Sequence, residues 1–182
     1  MNPLGFSLIP FPTENNSPEI RITGSVGRRE SRFSIACTIQ GNLAALAIPA
    51  PASFPVRKDR LWEETCLEFF LGASDSEVYW EFNLSPAGHW NVYRFTSYRQ
   101  GMREEPAFAS LPFRIREEPG SFGISMERDV GKILPNGDVL KVAVAAVIRT
   151  IKGDTSHWAL AHAGHRPDFH RRESFLLNLS GK

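Results

Sequence analysis

Cysteine is scarce in this chain: Cys37 and Cys66 stand alone among 182 residues, with no C-x-x-C and no clustering. That excludes a disulfide framework and argues against a zinc site built on thiolates, while a single Cys37–Cys66 bridge stays open. Charge of one sign is equally lacking. The 21 Lys+Arg against 20 Asp+Glu leave a net charge of +1, whereas a phosphate-binding footprint needs a clear basic excess, so nucleic acid is not an expected partner. No apolar run approaches the roughly 20 residues of a membrane span, so no membrane partner is expected. The opening MNPLGFSLIPFP has neither the basic n-region nor the apolar h-region of a secretion signal. A cytoplasmic location with reduced thiols is the expectation. Catalytic signatures are missing too: there is no G-x-S-x-G, no phosphate loop, no G-x-G-x-x-G and no H-E-x-x-H.

What is present is a globular composition, 42% hydrophobic and 23% charged, with 13 Phe, four Trp and three Tyr. The length suits one domain with a real core. Residues 1–18 carry four prolines and read as an irregular lead-in to a domain over 19–182. Short β-type segments follow at 19–26, 31–40, 43–48, 65–71, 78–85, 89–96, 113–118, 122–128, 139–151, 155–162 and 175–179. In the second, Phe33, Ile35, Cys37 and Ile39 share one face. Gly41-Asn42 is a plausible hairpin turn, and only short helical turns are expected, near 130–134. Ten or eleven short strands separated by Gly, Pro and Asn turns predict an all-β, single-domain antiparallel β-sandwich or barrel.

Two hairpins can be read in register. With Ala87-Gly88 as a two-residue loop, Ser85/Trp90, Asn83/Val92 and Glu81/Arg94 pair on a polar face. Leu84/Asn91, Phe82/Tyr93 and Trp80/Phe95 then pair on the face expected to meet the core. At the Gly153-Asp154 turn, pairing puts Arg149 on the face of Trp158, a candidate cation–π contact, and Ala145 on the face of His162.

Glu81, Asn83 and Arg94, with Trp90 and Tyr79 beside them, have the make-up of a sugar site: donors and acceptors for hydroxyls and flat rings for a pyranose face. The competing reading is a solvated face with a surface ion pair. Alternation from 61 to 70 groups Glu64, Cys66, Glu68 and Phe70 and sends Leu67, Phe69 and Leu71 to the core. A carboxylate at Glu68 needs a partner there, either Arg94 or an Arg or His of the C-terminal segment. Four of the five histidines lie in 157–170. His162, Asp168 and His170 are nominal metal ligands, although a structured or ligand-contacting loop is the better reading. Glu68 and Glu81 have the chemistry of an acid/base pair, and a haem would need Met102 or Met126 with His162 or His170.

The segments LWEETCLEFFL, YWEFNLSPAGHWNVYRFTSYRQGM and HWALAHAGHRPDFHRRESF resemble the DOMON-like bacterial proteins, which are similar in turn to family 9 carbohydrate-binding modules. The resemblance covers roughly residues 60 to 178. It implies an immunoglobulin-like or jelly-roll sandwich that binds sugar or haem and has no catalysis of its own. By segment, Trp62, Glu68, Glu81, Asn83, Arg94 and Trp158 are the nearest counterparts of the sugar-holding residues, with the loop from His162 through Asp168 to His170 as a wall. The expected function is thus non-catalytic binding of a carbohydrate or sugar-containing small molecule. The alternatives are a haem-binding electron-transfer domain, an enzyme using Glu68 with His162 or His170, or an interaction scaffold without a small ligand.

Overall fold

The computed structural model describes residues 3–12, 14, 17–134 and 139–180. Its strands are β1 (Leu4–Pro10), β2 (Ile20–Arg29), β3 (Arg32–Gly41), β4 (Cys66–Ala73), β5 (Tyr79–Leu84) and β6 (Trp90–Phe95). They continue as β7 (Arg103–Glu104), β8 (Arg114–Glu118), β9 (Ser121–Asp129), β10 (Leu140–Arg149), β11 (Thr155–Ala159) and β12 (Leu177–Leu179). No α-helix occurs among the described residues, only three 3-10 turns at Leu43–Ala45, Leu61–Glu63 and Arg172–Ser174.

Hydrogen bonding runs β7-β6-β5-β4-β10-β11-β1-β2-β3-β9-β8, with β12 added to β10. This antiparallel path curls into two layers with one core between them. The first layer contributes Ile22, Val26, Phe33, Ile35, Ile39, Phe122, Ile124 and Met126; the second contributes Leu67, Phe69, Leu71, Phe82, Val92, Val142 and Val144. The alternation expected in 31–40 holds, and that expected in 61–71 holds from Cys66 on, after the 3-10 turn at Leu61–Glu63 and the exposed Glu64: Phe33 stacks on Phe69 at 5.3 Å, and Phe69 on Phe82 at 4.6 Å. Period-two alternation is what buries one face of each sheet.

The N-terminal segment departs from its expectation. Leu4–Pro10 is a strand that pairs with β2 from Leu4 to Leu8 and with β11 at Ile9 and Pro10. It passes from one layer to the other, and its prolines fall at its end or outside it, where no ladder donor is needed. The segment 43–48 is not a strand paired to β3. It forms a 3-10 turn and crosses to the second layer, where Ala47 N–H donates to the Arg149 carbonyl at 2.8 Å.

The β5–β6 hairpin is shifted by one residue from the expected register. Its pairs are Leu84/Trp90, Asn83/Asn91, Phe82/Val92, Glu81/Tyr93, Trp80/Arg94 and Tyr79/Phe95. The loop holds three residues, Pro86, Ala87 and Gly88: Ser85 N–H donates to the His89 carbonyl at 2.9 Å, and Gly88 takes φ 91°. A type I turn closed by a left-handed glycine is the usual three-residue solution. One residue of slip exchanges faces, so Tyr93 and Phe95 join Glu81, while Trp90 and Arg94 turn away with Trp80 and Phe82. The hairpin after β10 is corrected likewise. Arg149 pairs with Thr155, and Trp158 with Ala146, which puts Arg149 and Trp158 on opposite faces.

Candidate functional site

The outer face of the second layer is also largely covered. Phe70, Tyr79, Tyr93, Phe95, Ala143, Ala145, Val147 and Ala159 form a second apolar cluster there, roofed by Phe169 and Phe175 of the segment after β11. Arg172 fastens that segment. Its Nη2 donates to the carbonyls of Ala73 and Ser76, at 2.7 and 3.0 Å, and its guanidinium lies 4.7 Å over the Phe175 ring. Next to Glu68 this face of β10 carries the small side chains of Ala143, Ala145 and Val147, so the floor there is low. A cleft of about 330 Å³ remains, with Glu68, Glu81 and Val147 beneath and Trp62, Arg99, Met102, His157 and His170 around it.

Glu68 from β4 and Glu81 from β5 are 4% and 3% exposed. Glu81 Oε1 accepts from Asn83 Nδ2 at 2.7 Å. His170 Nε2 stands 3.7 Å from Glu81 Oε2, and its Nδ1 is 2.9 Å from the Tyr79 hydroxyl. That hydroxyl already accepts the Arg99 backbone N–H at 3.1 Å. Its own proton therefore points to Nδ1, and the imidazole proton sits on Nε2, towards Glu81. Burial, reinforced by Arg99, pushes His170 down to about 4, so the ring is neutral at pH 7. Burial pushes Glu81 up to about 7 against its hydrogen bond to Asn83. Burial and then the Glu81 charge push Glu68 well above the ordinary carboxylate range. Glu68 Oε1 is buried without a hydrogen-bond partner.

Arg99 belongs to the turn after β6, at φ 53°. Its Nη2 and Nε donate to Asp168 Oδ1 at 2.9 and 3.3 Å. Against burial, hydrogen bonds from Tyr98 and Arg99 hold the Asp168 carboxyl below its ordinary range. His157 N–H and Nδ1 donate to the two oxygens of Glu14, at 2.7 and 2.6 Å. Trp62, from the turn at Leu61–Glu63, packs edge-on to Tyr93 at 5.8 Å and leaves part of its ring on the cleft.

Of the residues expected from sequence, Trp62, Glu68, Glu81 and His170 meet in the cleft. Asn83 lies fully buried beneath it as the orienting donor to Glu81, and Asp168 acts through Arg99. Arg94, Trp158 and His162 are elsewhere. Arg94 follows Trp80 and Val92 to the opposite face because of the three-residue loop. Trp158 is in the central core, donating from Nε1 to Ser156 Oγ at 2.9 Å. His162 lies past the end of β11, where Nε2 donates to the Ile9 carbonyl and the ring meets Phe11 edge-on. Of the partners expected for Glu68, Arg94 lies on the opposite face and His170 of the C-terminal segment shares the cleft, while the charge that acts on Glu68 is that of Arg99. Of the two histidines expected with Glu68, only His170 is in the cleft, its Nε2 3.7 Å from Glu81 Oε2. Arg99 and His157 were missed as cleft residues, and Met102 was expected only as a haem ligand; Arg99 lies in a Tyr-Arg-Gln-Gly turn whose glycine, at φ 62°, was the available signal.

Haem does not fit these side chains. Met126 is in the central core, Met102 is at the rim, His162 lies outside the cleft, and His170 Nδ1 is held by the Tyr79 hydroxyl. Among the described residues no group of three or more His, Cys, Asp or Glu is placed to hold a metal ion. Cys37 and Cys66 are both free and buried. Burial pushes the Cys37 thiol up to about 12.

No protein-family model matches the chain, and no curated protein matches it in sequence. Solved structures do match in shape. A candidate carbohydrate-binding protein from Bacteroides uniformis superposes with a TM-score of 0.71 at 15% identity, covering 98% of this chain and 86% of that one. A family 9 carbohydrate-binding module from Caldicellulosiruptor kristjanssonii, in complex with glucose, gives 0.52 at 9% identity over 91% and 78% of the two chains. In complex with cellotriose it gives 0.51 at 9%, over 92% and 79%. The DOMON-like resemblance rests on the sequence segments alone. The architecture is that of the family 9 carbohydrate-binding modules, an antiparallel β-sandwich.

Proposed function

We propose that this protein is a non-catalytic carbohydrate-binding domain whose site is the cleft over β4 and β5. The observation that carries the reading is the juxtaposition of the Trp62 ring with Glu68 and Glu81 on the floor of one open cleft. A ring offers a pyranose its apolar face, and carboxyl oxygens accept from hydroxyls that would otherwise lose water. Glu68, whose Oε1 has no hydrogen-bond partner among the described residues, is the carboxyl with acceptor capacity to spare. The neighbours' complexes with glucose and cellotriose point to the same ligand class.

The non-catalytic part rests on the neighbours, which are carbohydrate-binding proteins, and shortening of the oligosaccharide is its direct readout. Titration with glucose and cello-oligosaccharides, followed by tryptophan fluorescence, tests the reading. A saturable change that disappears in Trp62→Phe, with no shortening of the oligosaccharide, is the expected result. No saturable response to any neutral or amino sugar overturns it.

A further inference from the structure

The charges around the two buried glutamates are already committed. Arg99 is held by Asp168, and His157 by Glu14. His170 offers only one neutral N–H, 3.7 Å from Glu81. Glu68 Oε1 has no hydrogen-bond partner among the described residues although it is buried, and a buried carboxylate in that condition is strongly unfavourable. Trp62, Phe95 and Phe169 face the same cleft, and aromatic faces attract cations. Aromatic walls over a pair of acceptors short of a cation are what a protonated amine complements.

We propose that the ligand is an amino sugar, bound with its ammonium group between Glu68 and Glu81 and its ring against Trp62. The inference rests on the sugar-binding reading and adds the chemical class. Without ligand, protons offset the pair: burial pushes Glu68 well above the ordinary carboxylate range and Glu81 up to about 7, so the pair is at most partly ionised near pH 7. Docking exchanges a proton for the ammonium: the Glu68 carboxyl gives its proton to solvent, and the carboxylate left behind accepts from the N–H groups. On the sheet, Cys66, Tyr79 and Tyr93 face the pair; burial raises all three, so they stay neutral. From the loops, His170 is held down to about 4, and the Arg99–Asp168 and His157–Glu14 pairs complete the surroundings. Proton release on binding therefore reports chiefly on Glu68 and Glu81.

The test is calorimetry on the full chain at about pH 7, with glucose, N-acetylglucosamine, glucosamine and cyclohexylamine, in two buffers of different ionisation heat. Glucosamine should bind about tenfold or more tighter than N-acetylglucosamine and release up to about one proton. Glu68→Gln should bring that ratio towards one, and Glu81→Gln serves the same purpose if the first variant does not fold. Glucosamine binding no tighter than N-acetylglucosamine, with glucose still bound, overturns the amine assignment and leaves the sugar reading intact. Cyclohexylamine binding as tightly as glucosamine overturns the amino-sugar assignment, because the hydroxyls then contribute nothing. Absence of binding by all four overturns both readings.

Discussion

At the residue scale the cleft is governed by Glu68, Glu81 and His170, and their proton affinities make a stability prediction with a defined sign. Glu81 rises from an ordinary 4.5 to about 7. Between those values the folded protein holds a proton that the unfolded chain has released, so stability falls as pH climbs through that window. Glu68, raised further by burial and by Glu81, extends the fall to higher pH. His170 works in the other direction. Its value of about 4 lies beneath an ordinary 6.5, so the unfolded chain binds the proton first and stability drops as pH falls through 6.5. Urea unfolding of Glu68→Gln should accordingly match the parent near pH 4 and exceed it by about 1–4 kcal/mol at pH 8. A variant less stable than the parent at pH 8 would refute the assignment of a buried, uncompensated carboxylate. Glu68 and Glu81 were legible in the sequence from residue type and strand position, and Trp62, in the 3-10 turn before β4, only through the family resemblance. Arg99 was not, because only the tertiary path of the turn after β6 brings it over β4 and β5.

At the element scale the β5–β6 hairpin shows how a single loop residue reassigns a face. Strand boundaries there were legible to within a residue, 78–85 and 89–96 against Tyr79–Leu84 and Trp90–Phe95. The register was not, because Pro86-Ala87-Gly88 closes with Gly88 at φ 91°, and a three-residue loop displaces every pair. The C-terminal segment is the other decisive element. A Cβ on Gly72 would meet Arg172 Nη1 at 2.2 Å, so β4 leaves room for the guanidinium that ties down the segment carrying Phe169 and His170. Gly72→Ala should cost about 1–3 kcal/mol and expose 160–176 to protease. The fraction cleaved under native conditions measures it, and unchanged resistance would mean that Arg172 is not the fastening.

At the scale of the whole molecule, β1 makes one cooperative unit of two layers. It is paired to β2 along most of its length and to β11 at its end, and Leu8 is buried in the shared core. Leu8→Ala should cost about 2–5 kcal/mol. Its urea transition should remain single, with tryptophan fluorescence and far-UV circular dichroism coinciding. Separate transitions would mean that the layers unfold independently. The absence of any helix among the described residues leaves the β-sheet signal as a clean reporter.

The amino-acid sequence by itself determined the class of the fold and the inward faces of β3 and β4, because period-two alternation and turn residues are local signals. It also determined that Glu68 and Glu81 sit on strands among aromatic residues. Tertiary structure alone decided which residues share the cleft. Register, the passage of β1 between layers and the descent of 160–176 onto β4 and β5 depend on contacts between distant parts of the chain. Those contacts bring His170 to Glu81, Arg99 to Asp168 and Trp62 to the rim, while sending Arg94, Trp158 and His162 away. The two scarce cysteines follow the same division: their isolation was plain in the sequence, and their buried, unpaired state was set by the core.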